Sequence, residues 1–181
     1  MAVYGAGASW DGEDVRDDFF HDDCFTIGWN RLAGSDLQSS LASLKIGDII
    51  YLKSNQPGSR TIRVKGVGIV VRSFIECVQN GEYPSGQITS WESFFIRVSW
   101  IIQEEFMISI PADQGRMTNI RAATFYEEPL PFVQQEIVSR IVHATGRKLF
   151  PLNGDEPQPG RSLDLNQAPE MQGEHSQHEA E

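Results

Sequence analysis

The chain has 181 residues, 40% of them hydrophobic, and a formal net charge of −10. That length suits one domain with a real core and a tail. There is no run of about 18 apolar residues to span a membrane and no basic-then-apolar secretion signal at the start. The net acidity argues against a protein that coats nucleic acid by bulk electrostatics.

Residues 2–5, AVYG, start a strand. DVRDDFFHDD, 14–23, reads as a short acidic helix or turn. SDLQSSLASL, 35–44, reads as a helix. Ser35 with Gln38 three later has the capping-box spacing, and Leu37, Leu41 and Leu44 share one face. KIGD turns into the strand DIIYLK. TIRVKGVGIVVRSF, 61–74, is a long β run with Thr61, Arg63 and Lys65 on one face and Ile62 and Val64 on the other. Gly66 and Gly68 mark a bend or bulge within it.

After the loop QNGEYPSG come the strands FFIRVSWII, MISIP and AATFYE. PFVQQEIVSRIVHATG is an amphipathic helix with Pro131 near its first position and Gly146 at its end. Val133, Ile137 and Ile141 form its apolar stripe. Strands in succession, without intervening helices, predict an α+β domain over 1–150. Its mixed or antiparallel sheet curls toward a small barrel flanked by helices. From Pro151 onward Pro, Gly, Gln and acids dominate, so 151–181 is expected to be a disordered acidic tail. Within it, DLNQAP matches a short repressor-recruiting peptide motif of plants.

Charge is uneven along the chain. Residues 151–181 hold seven acids and one base, and residues 1–30 hold seven acids and only Arg16 as a base. Residues 45–72 reverse this, with Lys45, Lys53, Arg60, Arg63, Lys65 and Arg72 against Asp48 alone. Such a stretch is either a phosphate-facing surface or a solvated strand face. Cys24 and Cys77 lie far apart and form no CxxC, which fits a reducing, cytoplasmic setting.

GAGASW, 5–10, is the segment that most invites a chemical reading. As a dinucleotide loop it fails: Trp10 stands where a third glycine belongs, and Asp11, Glu13 and Asp14 would repel a pyrophosphate. As a serine elbow it lacks the glycine after Trp10, and His21 and His143 are poorly placed as a base. HDDC, 21–24, packs four potential ligands too tightly to converge on one metal ion, and His175 and His178 sit in the acidic tail. No catalytic set and no cofactor site emerges. The remaining reading is a pocket wall: small residues ending a strand admit close approach, Ser9 offers a hydroxyl, and Trp10 a flat face. Phe25, Trp29 and Trp91 are further aromatics suited to holding a base, although an aromatic in a small barrel is by default core. Trp10 stands apart because its neighbours are acidic and glycine-rich, as in a loop.

Several of these pieces occur in a familiar order. GASW at 7–10, EDVRDDFF at 13–20, FTIGW at 25–29, GDIIYLKS at 47–54, KGVGIVV at 65–71 and RVSW at 97–100 together resemble the EVE-like branch of the PUA-like superfamily. They are similar to the recognition modules at the front of AAA+ GTPase subunits in modification-dependent (type IV) restriction systems. The resemblance covers roughly residues 3–102. It implies a PUA-like fold close to EVE and YTH domains, and a modified base held in an aromatic-lined pocket. By position it points to Ser9, Trp10, Phe25, Trp29, Lys53 and Ser54 as pocket residues, with Trp91 added from composition. Arg60, Arg63 and Lys65 would then touch the nucleic-acid backbone. The expected function is non-enzymatic reading of a modified base in DNA or RNA, with an effector protein as a further partner. Two alternatives stay open: a binder of a free nucleotide or signal, and a protein-interaction adaptor working through its tail.

Overall fold

The β-rich middle of the chain sets the architecture. Gly47, at φ +88, makes the turn that launches β5 (Ile49–Ser54), buried from Ile49 through Lys53. β6 (Thr61–Arg72) returns antiparallel to it. On its other side β6 is shared lengthwise. Its first residues pair with β8 (Phe106–Ser109) and its later ones with β7 (Phe95–Ile102). β1 (Val3–Gly7) lies parallel to β5, in register from Val3 opposite Ile49 to Gly7 opposite Lys53. Short strands β4 (Cys24–Thr26) and β9 (Phe125–Glu127) close the edges, giving the order β4-β7-β6-β5-β1-β9 with β8 attached to β6. The remaining pair, β2 (Ser9–Trp10) and β3 (Glu13–Asp14), stands apart as a tiny hairpin. The computed structural model describes residues 1–29, 34–54, 58–82, 94–114 and 124–149, with residues 147–149 described by backbone only. Among them the sheet has seven strands.

This mixed sheet is curled by extra residues. Leu52 pairs with Gly66 but Lys53 pairs with Val64, so Lys65 is the unpaired residue of a bulge. The alternation expected for Thr61, Arg63 and Lys65 therefore breaks at Lys65, which is buried while Arg63 is exposed. Gly66 and Gly68 lie just beyond the bulge, where side chains from outside the strand press on the backbone. A Cβ on Gly66 would come within 2.6 Å of the Phe20 ring, and one on Gly68 within 2.3 Å of Val98.

Helices cover both faces. α1 (Arg16–Asp22), α2 (Ser35–Ala42) and α3 (Phe74–Gln79) send Phe19, Leu41 and Cys77 into a largely aromatic core with Phe25, Ile96, Val98, Trp100 and Phe125. α4 (Pro131–Leu149) covers the other face, and its stripe of Val133, Ile137 and Ile141 packs on Tyr51, Ile62, Val64 and Val67 as its spacing predicts. The helix runs on through Gly146 instead of stopping there.

Two further expectations differ. Ser35 and Gln38 form no capping box, since Gly34 is the N-cap and no side chain caps α2. The box is instead at Ser73 and Glu76, starting α3 inside the stretch expected to end the long β run. The expected tail, with DLNQAP, His175 and His178, lies outside the described residues. No helix among the described residues is long and apolar enough to cross a membrane.

Candidate functional site

The parallel pair β1–β5 ends with Gly7 beside Lys53, so GASW and Lys53–Ser54 leave the sheet at the same end. β9 seals the other side of β1: Gly7 donates its N–H to the Thr124 carbonyl at 2.7 Å, and the Tyr126 ring packs so closely on Gly5 that a Cβ there would clash at 2.6 Å. The small residues of VYGAG thus admit a neighbouring strand and ring. After buried Ala8 the chain turns through Asp11 and Gly12, both at positive φ (50 and 91), a two-residue hairpin of the primed type that Asp-Gly favours.

That hairpin carries Ser9, exposed, and Trp10, half-buried. The Trp10 indole meets Phe19 edge-on at 5.6 Å and lies flat enough over Gly28 that a Cβ there would stand 2.7 Å from its ring atoms. The glycine of FTIGW is therefore required by the tryptophan of GASW, 18 positions earlier. Trp29 follows at 47% exposure. Its carbonyl accepts from Gln38 Nε2 at 2.8 Å, while Gln38 Oε1 accepts the Phe94 N–H at 2.9 Å. Gln38 is thus a buried strut that ties the Trp29 segment to the start of β7, and Thr26 Oγ1 adds a bond to the Phe94 carbonyl at 2.7 Å. The Trp10 Nε1–H is buried without a hydrogen-bond partner among the described residues.

The expected pocket residues divide accordingly. Trp10 and the Gly28–Trp29 segment come together, and Ser9, Lys53 and Ser54 leave the same end of the β1–β5 pair. Phe25 does not join them. It is fully buried between Phe19 (5.2 Å) and Phe125 (5.9 Å), in a column of rings that continues to Tyr4. Lys53 is 8% exposed, its Nζ 5.4 Å above the Tyr126 ring. Trp91 lies outside the described residues.

The basic stretch is already engaged within the protein. Arg60 donates to the carbonyls of Ile110, Pro111 and Gln114. Arg63 and Arg16 both pair with Glu105, and Lys65 reaches Asp14 Oδ2 at 2.8 Å. Partial burial works to raise the Asp14 carboxyl, but the Lys65 hydrogen bond, with Arg16 nearby, holds it below its ordinary range. Glu105 is likewise held low, first by Arg63 and then by Arg16. Both thiols are buried. Burial pushes Cys24 up to about 12 and raises Cys77, which leaves them protonated and poor nucleophiles. Among the described residues no three His, Cys, Asp or Glu side chains converge as a metal site.

Sequence reading passed over two parts of this arrangement. The acidic, glycine-rich setting of Trp10 reads only as a loop, although Asp11–Gly12 is a strong hairpin signal. Gln38 carries no sequence mark that separates a strut from a cap.

No family model matches the chain, and no curated protein matches it. Solved structures that the chain matches include a hypothetical protein from Leishmania major, at a TM-score of 0.45 and 9% identity over 80% of this chain and 97% of that one. Another is the NMR structure of Rpa0253 from Rhodopseudomonas palustris, at 0.41 and 11% identity over 81% of this chain and 94% of that one.

Proposed function

We propose that the chain is a non-enzymatic, EVE-like module of the PUA-like superfamily that reads a modified nucleobase in DNA or RNA. The observation that carries this reading is the seating of Trp10 on Gly28 with Trp29 beside it, at the end of the β1–β5 pair. A base needs a flat apolar face for its ring and a few hydrogen-bonding groups for its edge. Trp10 and Trp29 supply faces, and Ser9 and Ser54, both exposed, supply polar groups. The pairing of Arg60, Arg63 and Lys65 inside the fold favours a weak contribution from phosphate contacts, so discrimination rests on the base.

The same engaged cations favour a second reading, a free nucleotide or nucleotide-like signal held by the same rings without a polymer. One titration separates the two. The full chain is mixed with short single- and double-stranded oligonucleotides carrying 5-methylcytosine, N6-methyladenine or no modification, at two salt concentrations, and with the matching mononucleotides. A preference for modified oligonucleotides that persists at the higher salt, and that Trp10→Ala removes while the thermal transition remains, is the expected result. Binding of mononucleotides alone supports the second reading. Discrimination that survives in Trp10→Ala overturns the site.

A further inference from the structure

The hairpin that carries Trp10 is too short to hold itself. β2 and β3 give it two residues each, Ser9 opposite Asp14 and Trp10 opposite Glu13, and a lone two-stranded pair is marginal even at full length. Its pose is therefore set by what it touches. One hold is the Trp10 ring on Gly28 and Phe19. Side chains alternate along a strand, so Asp14 leaves the hairpin on the face opposite Trp10 and its cross-strand neighbour Glu13.

A second hold starts in β6. Lys65 is the extra residue of the bulge, and a bulge re-aims the side chain it carries. Regular alternation would leave Lys65 on the exposed face of Arg63. Instead its side chain is 11% exposed, and its Nζ stands 2.8 Å from Asp14 Oδ2. The other Asp14 oxygen accepts the Arg16 N–H at 3.2 Å. Arg16 continues to Glu105, which also takes Arg63. Charges thus alternate from β6 through the hairpin and α1 to the turn after β7, and back to β6. The links are unequal. Arg63 is 54% exposed, where an ion pair is screened and contributes little. Lys65 is nearly dry, and a buried ammonium stripped of its carboxylate is costly, so the inner link holds hardest.

We propose that Lys65 is a positioning residue: through Asp14 it latches the Trp10 hairpin to the sheet and fixes where the indole stands. Its consequence for selection rests on the proposed reading of a base by Trp10, whereas the latch does not. A contact face must be held to within about 0.5 Å to select one ligand over a near copy, and Trp10 sits next to a turn of two residues at positive φ. The bulge is then the sheet's contribution to the site: one extra residue in β6 carries a cation to the hairpin from behind.

The first arm of the test needs no ligand. Hydrogen exchange of the Trp10 indole N–H, assigned by Trp10→Phe, reports opening of the hairpin, because that group is buried in the folded chain. Lys65→Met, which strands no buried charge, and Asp14→Ala should each speed this exchange about tenfold. The Trp100 indole N–H, bonded to the Phe19 carbonyl in the core, should keep its rate. The double variant should exchange no faster than the faster single one, and Lys65→Arg should restore protection. Arg72→Gln, which removes an exposed pair at the far end of β6, should change nothing. The second arm repeats the oligonucleotide titration, where preference for the modified base should fall several-fold in Lys65→Met and return in Lys65→Arg. Unchanged exchange in both Lys65→Met and Asp14→Ala overturns the latch, as does equal acceleration at Trp10 and Trp100, which marks general destabilisation. Faster exchange with the preference intact overturns the positioning role. Faster exchange in a protein whose wild type shows no preference supports the latch and removes the base reading instead.

Discussion

The two faces of the sheet are built from different materials and satisfied to different degrees. The face under α4 is mainly aliphatic, and its deepest polar groups are bonded to one another. Tyr51 donates to Glu128 Oε2 at 2.6 Å, Tyr126 lies 2.5 Å from the Tyr51 hydroxyl, and Glu128 Oε1 accepts the Leu130 N–H at 2.9 Å. Burial, then Tyr126 and Glu128, raises Tyr51 well above its usual range, so it stays a donor. The face under α1, α2 and α3 is aromatic, and the buried side-chain atoms without a partner among the described residues, Trp10 Nε1 and Asp22 Oδ2, lie in its segments. Among the described residues one face leaves no buried polar side-chain atom unanswered, whereas the other leaves a donor and an acceptor without partners. On the proposed function, that asymmetry separates the face that stabilises from the face that would bind.

Variants can break or sharpen this contrast. The largest effect is expected at Ile137, fully buried under α4: Ile137→Ala should cost about 2–5 kcal/mol in urea unfolding, with ligand preference unchanged in the folded fraction. Tyr51→Phe strips a donor from the buried Glu128 carboxylate and should cost about 1–3 kcal/mol, again without changing preference. On the aromatic face, Gly28→Ala should cost about 1 kcal/mol as the Trp10 ring yields to the new methyl, and it should lower base discrimination together with Trp10→Ala. Trp29→Ala should cost about 1 kcal/mol or less in stability yet abolish discrimination in the same titration.

The smallest effect is electrostatic. Asp14 and Glu105 have folded values below their unfolded ones, so their contribution is present above the ordinary carboxylate range of about 4. It is lost as pH falls through and below that range. Lys65→Met frees Asp14 and should flatten this acid limb of the unfolding curve.

How far the sequence revealed all this depended on the kind of signal. The α4 stripe was legible because Val133, Ile137 and Ile141 repeat at helical spacing against a polar remainder. The strands of 49–54 and 95–102 were legible as apolar β-branched runs. The bulge at Lys65 was not, since an extra residue is defined only by pairing with Leu52 and Lys53 across the sheet. Ser73-x-x-Glu76 carried the capping-box pattern, but a long run of valines ahead of it reads as strand through Phe74, while Ser35 and Gln38 imitate the same spacing. In the candidate site, Trp10 stood out by type and setting, whereas Trp29 carried the same default of core as Phe25. Phe25 has the same chemistry but a place in the ring column. Composition does not distinguish a pocket aromatic from a core one, because that depends on which neighbours fold over it.

The most direct test of the central claim follows the indole N–H resonances of the four tryptophans, assigned by single Trp→Phe variants, as modified and plain oligonucleotides are added. The account predicts saturable movement of the Trp10 and Trp29 signals with a modified base and little with a plain one, while methyl signals of Val133 and Ile137 stay fixed. Movement confined to the α4 face, or identical movement with modified and plain oligonucleotides, would contradict it.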